Sequence, residues 1–305
     1  MFTHHTSLII PTRNRSVKLI KLIKDIRKNR INFNEIIIVD SSDDWHKNKI
    51  KKFFYKKKIK LINTYPSTTH QRNIGLKIKK KNSKFIFFLD DDIKLNKKSF
   101  FEMNNAIKKY ENDRKICSFG FNLKTSVNNF KFEKIKKSKI VRFFSLYDSA
   151  PGKVLDSGWH TKISNLKEDT FVEWLYSGAT IYKASIIKKI KFNNFNKGFN
   201  YLEDLYFSYN LTKKKFKHLV IAKAIVINSH VVSREDFSFG FIEIINRYKF
   251  VKKFNLNKKK FYFSGFIRSI FSLINMYNFN FKSIARFLGN IKGILYCIYL
   301  DLKKF

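Results

Sequence analysis

The run Phe85-Ile86-Phe87-Phe88-Leu89 stops at three consecutive carboxylates, Asp90, Asp91 and Asp92. Five apolar residues without polar alternation fit a strand covered on both faces, the kind found in parallel sheets. Residues 7–12 (SLIIPT) and 34–40 (NEIIIVD) have the same form, one containing Pro11 and the other closing on Asp40. Between them, residues 16–30 place Val17, Ile20 and Ile23, with Leu19 and Ile26, at helical spacing, and Ser16 is the expected N-cap. A further strand is predicted near residues 59–62, and a helix over 69–82 with Ile74, Leu76 and Ile78 partly inside. The order strand, helix, strand, strand, helix, strand predicts an α/β fold, a Rossmann-like, mostly parallel sheet flanked by helices. Ligands of such sheets gather beyond the carboxyl ends of the strands. Residues 11–15, 40–44 and 90–92 all fall there.

Three adjacent carboxylates repel one another, and a divalent cation relieves the repulsion. Hard oxygen ligands suit Mg²⁺ or Mn²⁺; Mg²⁺ sites of this kind take one or two carboxylates and complete their shell with phosphate and water. Strand alternation would put Asp90 and Asp92 on one side and turn Asp91 away. The competing reading is a solvated turn after a strand. A place at a parallel-strand end, beside Asp40 and Arg72, favours the metal–phosphate reading.

The chain has 63 Lys+Arg against 23 Asp+Glu, a formal charge of +40 over 305 residues. Lys is spread evenly along with Asn, Ile and Phe, all encoded by A/T-rich codons, so genomic drift alone would give this bias. Attraction to anionic lipid or to phosphorylated substrates is the functional alternative. No helix-turn-helix, zinc-finger or RNA-stacking signature accompanies the cations, so no nucleic-acid partner is expected. Cys117 and Cys297 stand far apart without a CxxC partner. A zinc site or disulfide framework is not expected, and a reducing, cytoplasmic compartment fits. The N-terminus has no basic start followed by a long apolar run, and no window is apolar long enough for a transmembrane helix.

The second half is less regular. A helix is expected at 99–110, strands near 115–123, and a strand, Ser-Gly turn, strand and helix over 172–190. A helix over 200–214 opens on Glu203 and Asp204, and a strand over 218–230 ends in His230. From about residue 239 the pattern is helical, aromatic and basic.

The ordered set SLIIPTRNR, EIIIVDSSDD, QRNIGL and FIFFLDDD, followed by WLYSGATIYK and YLEDLYFSYNLTKKKFKHLVIAKAIVINSH, resembles the family 2 glycosyltransferases with the GT-A fold. The resemblance implies that Pro11, Thr12 and Arg13 begin the loop meeting the nucleotide, and that Asp40 hydrogen-bonds the base. It implies Arg72 near the diphosphate and base, with Asn73 and Gly75 completing that signature. Asp90 and Asp92 resemble the DxD pair, Asp90 toward the donor sugar or ribose and Asp92 on the metal, with Asp91 the variable middle residue. Asp204 would be the general base, and Glu203 would bind acceptor or orient the site. His230 would be a metal or phosphate ligand. Gly178, in the SGAT turn, would let main chain approach the donor sugar. Trp174 would stack on a sugar ring, core packing being its alternative. A Mn²⁺ or Mg²⁺ cofactor, a nucleotide-sugar donor and a glycan or lipid-linked sugar acceptor follow, in inverting transfer of the kind that builds bacterial surface polysaccharide or lipopolysaccharide.

On this reading residues 1–238 form the catalytic domain, 1–98 the nucleotide-sugar half and 99–238 the acceptor half. Residues 239–305 form a helical, basic, aromatic tail. Residues 124–170 match no signature and are expected to contribute to acceptor choice. The tail has amphipathic basic stripes suited to the cytoplasmic face of an anionic membrane, or to packing on the catalytic domain or a second subunit. The rival functions are a sugar nucleotidyltransferase, which usually carries a Gly-rich phosphate loop where this chain has PTRNRS, and a non-catalytic basic protein on anionic lipid.

Overall fold

The structure, a computed structural model, describes residues 5–55, 59–125, 139–193, 201–228, 236–274 and 281–303. The first elements are β1 (Thr6–Thr12), α1 (Ser16–Lys28), β2 (Glu35–Asp40), α2 (Asp44–Phe54), β3 (Lys60–Asn63), α3 (Thr68–Ile78) and β4 (Phe85–Leu89). There follow β5 (Ile93–Lys94), α4 (Lys97–Tyr110), β6 (Ile116–Lys124), α5 (Lys139–Phe143), β7 (Thr170–Val172) and β8 (Ala179–Lys183). The chain continues through α6 (Ala184–Ile187), α7 (Glu203–Lys213), β9 (Lys217–Asn228), α8 (Phe237–Lys253), α9 (Lys258–Ile274) and α10 (Phe281–Leu302). Contacts divide it into two units, Met1–Ser126 with Ile163–His230, and Val127–Lys162 with Val231–Phe305.

Among the described residues the first unit holds nine strands in one sheet, ordered β3-β2-β1-β4-β8-β6-β9-β5, with β7 paired on β9. β3, β2, β1 and β4 run parallel, while β8 enters antiparallel between β4 and β6. β1, β4 and β8 are buried along their whole length, as continuous apolar runs require. Side chains alternate between two apolar layers. Leu8, Ile10, Phe87 and Leu89 face one layer with α1 and α4, while Ile9, Ile86 and Phe88 face the other with α3 and α7. Each fully buried residue of this kind contributes about 1.5–3 kcal/mol. Two registers prepare a site. Thr12 lies opposite Asp40, and Leu89 opposite Ala179, so the end of β4 meets the start of β8.

Three local expectations change. In α1 the buried stripe is Leu19, Leu22, Ile23 and Ile26, while Val17 is 62% exposed. Arg15, not Ser16, occupies the N-cap position, and the Ser16 hydroxyl bonds His46 Nδ1 at 2.9 Å. α2 has no counterpart in the predicted order, since only Ile50 and Phe54 anchor it among lysines. The helix expected over 69–82 ends at Ile78, before the Lys-rich turn.

His218 ties α7 to the sheet. Its Nε2 lies 2.9 Å from the Ser208 carbonyl, so that nitrogen carries the proton and donates. Nδ1 then accepts from the Ser118 hydroxyl at 2.6 Å. Burial pushes the imidazole down to about 4. Between that value and the unfolded value near 6.5, the unfolded chain binds a proton that the folded chain refuses. Stability is therefore full above pH ~6.5 and falls toward pH ~4, by about 3 kcal/mol for this group. Thermal melts from pH 7 to 4 should show a shallower loss in His218→Gln than in the parent chain; equal slopes would mean that His218 does not carry the acid sensitivity.

The second unit is helical among its described residues. Leu155, Trp159, Ile244, Tyr248, Val251, Phe261, Ile294 and Cys297 form its core. α8 and α10 approach so closely that a β-carbon on Gly289 would stand 2.1 Å from the Phe237 carbonyl oxygen. Residues 139–162 pack here: Arg247 is buried over the Trp159 ring at 4.5 Å and donates to the Gly158 carbonyl at 2.7 Å. Among the described residues, no helix is long and apolar enough to cross a membrane.

Candidate active site

The ends of β1 and β2 are stapled by one side chain. Gln71 Nε2 donates to the carbonyls of Thr12 (2.8 Å) and Val39 (2.7 Å). The loops that follow are laced together: Asn14 N donates to Ser42 Oγ, and the Asn14 and Asp43 groups bond reciprocally at 2.7 and 2.8 Å. Asp40 is fully buried at this junction. Its Oδ1 accepts from the Ser42 amide at 2.9 Å, and its Oδ2 has no partner among the described residues. A buried carboxylate oxygen left bare is costly, and a donor from a ligand would satisfy it.

Arg72, one turn into α3, is 2% exposed and lies at the centre of the arrangement. Its Nη2 donates to Asp90 Oδ1 at 3.0 Å, and its Nη1 to Glu203 Oε1 and Asp204 Oδ1 at 2.9 and 3.1 Å. Burial opposes the guanidinium's charge, but Asp204, Asp90 and Glu203 together outweigh it and hold the group charged more firmly than usual. Burial and the neighbouring Asp204 and Asp90 push Glu203 upward. Burial pushes Asp204 the same way, with Arg72 opposing both shifts. The Phe192 ring lies under Arg72 at 5.5 Å, and Asn73 fixes it by bonding the Phe192 carbonyl and amide, both at 2.9 Å.

The aspartate triplet does not keep the strand alternation expected of it. β4 ends at Leu89, and Asp90 to Ile93 form a turn closed by the Ile93 amide on the Asp90 carbonyl. Asp90 therefore goes to Arg72, while Asp91 and Asp92 share Arg15 Nη1 at 3.1 and 2.9 Å. Asp91 also accepts from the Thr12 hydroxyl at 2.6 Å. Burial still pushes it up to about 6, against the pull of Thr12 and Arg15. The Asp90 amide bonds the Gly178 carbonyl at 2.8 Å, and a β-carbon at Gly178 would stand 2.3 Å from Asp90 Oδ2. Only a residue without a side chain leaves Asp90 where it is.

Glu203 and Asp204 open α7 directly after Leu202, whose φ of 75° is left-handed. A bulky side chain in that region is strained. The Ser208 hydroxyl donates to the Asp204 carbonyl, and the Leu175 amide donates to that hydroxyl.

Thr12, Asp40, Arg72, Asp90, Asp91, Asp92, Gly178, Glu203 and Asp204 are thus joined by strand register or direct bonds. Pro11 is buried within β1, and Arg13 is exposed beyond it. Trp174 is 3% exposed and edge-on to Tyr176, which is the core-packing alternative rather than an open stacking face. His230 lies outside the described residues. Arg15, Gln71 and Phe192 were not singled out in the sequence. Arg15 is the second arginine of PTRNR and Gln71 the first residue of QRNIGL, but their partners are distant in the chain.

Among the described residues, five carboxylates (Asp90, Asp91, Asp92, Glu203, Asp204) face two guanidiniums (Arg15, Arg72). That surplus of negative charge, at least partly desolvated, fits an added divalent cation. No three such side chains form a closed metal cage among the described residues. An ion held by Asp90 and Asp92 and completed by phosphate and water suits this donor set. The Asp90 side chain is 38% exposed and available to it.

Residues 7–165 match the description "Glycosyl transferase family 2". No curated protein sequence matches the chain. Solved structures resemble it, among them the mannosyltransferase PcManGT from Pyrobaculum calidifontis in complex with GDP-Man and Mn²⁺. That structure is 11% identical, covers 82% of this chain and 64% of its own, and gives a TM-score of 0.51. This chain therefore spans less than two thirds of that relative's length. Residues 1–349 of TarS from S. aureus are 18% identical, with 96% of this chain and 80% of that chain covered and a TM-score of 0.52. At these identities the likeness is one of fold. The mixed α/β fold of the GT-A type is borne out, and so is the family resemblance carried by the motifs.

Proposed function

The chain belongs to glycosyl transferase family 2, and from that premise we propose that it moves a sugar from a nucleotide-sugar donor to a hydroxyl of a glycan or glycolipid, inverting the anomeric carbon. The observation that carries the reading is the carboxylate surplus at the ends of β1 and β4, beside a buried Asp40 with one bare oxygen. Asp40 Oδ2 would accept from an N–H of the nucleotide base, and the loop at Thr12 to Arg15 would follow the nucleotide. Asp90 and Asp92 would hold Mn²⁺ or Mg²⁺, whose contribution is to neutralise charge gathering on the departing diphosphate. The Pyrobaculum mannosyltransferase, solved in complex with GDP-Man and Mn²⁺, supports a nucleotide-sugar donor with a divalent ion.

Arg72 has two tasks. It opposes the rise that burial imposes on Glu203 and Asp204, and it fixes Asp90 relative to them. Asp204 takes the proton of the acceptor hydroxyl as that oxygen attacks the anomeric carbon, and Glu203 orients the acceptor. The diphosphate leaves from the opposite side, so a single displacement inverts configuration. Gly178 brings main chain against Asp90 and leaves room for the donor sugar.

A panel of nucleotide sugars tested with Mn²⁺ or Mg²⁺ should yield one that raises Tm and is slowly hydrolysed, with both effects lost in EDTA. If no nucleotide or nucleotide sugar shifts Tm with either ion, the transferase reading fails.

A further inference from the structure

We propose that the helical second unit binds the surface of an anionic lipid bilayer through an aromatic patch built from two separate stretches of chain, α5 with its following residue and α9. This does not depend on the transfer reaction.

The patch follows from how α9 is divided. Phe261, Ser264, Gly265 and Ser269 point into the unit. Phe263, Phe266, Ile270 and Phe271 are 41%, 50%, 38% and 44% exposed. At 3.6 residues per turn these four lie within an arc of roughly 140° on one side of the helix. The stripe is extended by the other stretch. Phe144 packs on Phe263 with ring centroids 4.7 Å apart, and Phe143 follows at 5.2 Å from Phe144. Phe143 is 74% exposed and Phe144 38%. Five phenyl rings and an isoleucine thus adjoin in water, where an isolated exposed apolar residue would need no explanation and a cluster does.

The charge around the patch selects its occupant. α5 and α9 contain no Asp or Glu. Lys259 and Lys260 share the helical sector of the stripe at its N-terminal end, Lys260 also reaching the exposed Asp156 at 3.1 Å, and Lys139 and Arg142 flank Phe143. A second copy of the chain would bring these cations against one another in a protein of formal charge +40. A bilayer with anionic headgroups satisfies both features. The rings enter the headgroup–acyl boundary while Lys and Arg remain among the phosphates. Since no described helix is fit to span, the attachment would be peripheral.

The test uses the full chain in vesicle co-sedimentation. Vesicles of phosphatidylcholine containing roughly one third phosphatidylglycerol should retain the protein about tenfold better than phosphatidylcholine alone, and less well as salt is raised. Phe266→Ser/Phe271→Ser should weaken partitioning about tenfold and lower Tm only slightly, because the removed rings are half exposed. Phe143→Ser, in the other stretch, should weaken it too, so that local damage to α9 cannot imitate the effect. Equal binding to neutral vesicles, or unchanged binding by both variants, overturns the proposal. So does absence of vesicle binding, whether the patch then proves to hold a dimer in sedimentation equilibrium or single-stranded RNA in a gel shift.

Discussion

Replacing Asp204 by Asn is expected to slow sugar transfer by about 10²–10⁴-fold and to leave donor binding within a few-fold of the parent. The amide is the same size and keeps an oxygen for Arg72 Nη1, which now donates to Asp204 Oδ1 at 3.1 Å. The backbone of the first turn is held independently by the Ser208 hydroxyl on the Asp204 carbonyl. What disappears is the capacity to take a proton from the acceptor. The loss should fall on kcat, with the donor-induced shift in Tm preserved. Transfer near the parent rate would remove Asp204 from the reaction and leave Glu203 as the carboxylate to test.

Arg72→Met should be the most destabilising single change in the site. The side chain is buried and balances Asp90, Glu203 and Asp204 at once. Taking one partner out of a buried charge cluster costs about 3–5 kcal/mol, because the remaining charges are left uncompensated. The pH dependence has a definite sign. Without Arg72 the folded-state pKa values of Glu203 and Asp204 rise further above their unfolded values. Stability is then fullest below the unfolded values and is lost as pH rises through the folded ones. The variant should therefore melt lowest at neutral and alkaline pH and recover on acidification by more than Glu203 and Asp204 give the parent chain. Arg72→Lys should fall between, since a single ammonium cannot reproduce a fork that reaches three carboxylates. A melting curve of Arg72→Met within about 1 kcal/mol of the parent at neutral pH would show that water already screens the cluster.

How much of this was legible in the sequence depended on the range of the interaction. β1, β2 and β4 announce themselves, since strands buried on both faces are unbroken apolar runs. The order of apolar runs and carboxylates was enough for the family resemblance. α2 was not legible, because Ile50 and Phe54 are too few anchors among lysines for a periodic signal. Alternation failed for Asp90, Asp91 and Asp92 because it is a property of strands, and the strand ends one residue earlier. Arg15 escaped notice because its partners lie 76 and 77 residues away, and Arg72 meets Glu203 and Asp204 across 131 and 132 residues. Such pairings are decided by the packing of β1, β4, α3 and α7 rather than by any local pattern. Trp174 shows the converse: an aromatic in a motif-rich stretch invites a binding role, and its 3% exposure fits the packing alternative weighed beside it.

Leu202, held with φ at 75° immediately before Glu203, bears on how this protein would respond to selection in the laboratory. Glycine or asparagine at that position would relieve about 1 kcal/mol of backbone strain, but Leu202 is 7% exposed and truncating a buried leucine costs about 2–5 kcal/mol, so screens for heat tolerance should keep the strained leucine. Selection for robustness would then guard the left-handed entry to α7 even where activity is never assayed.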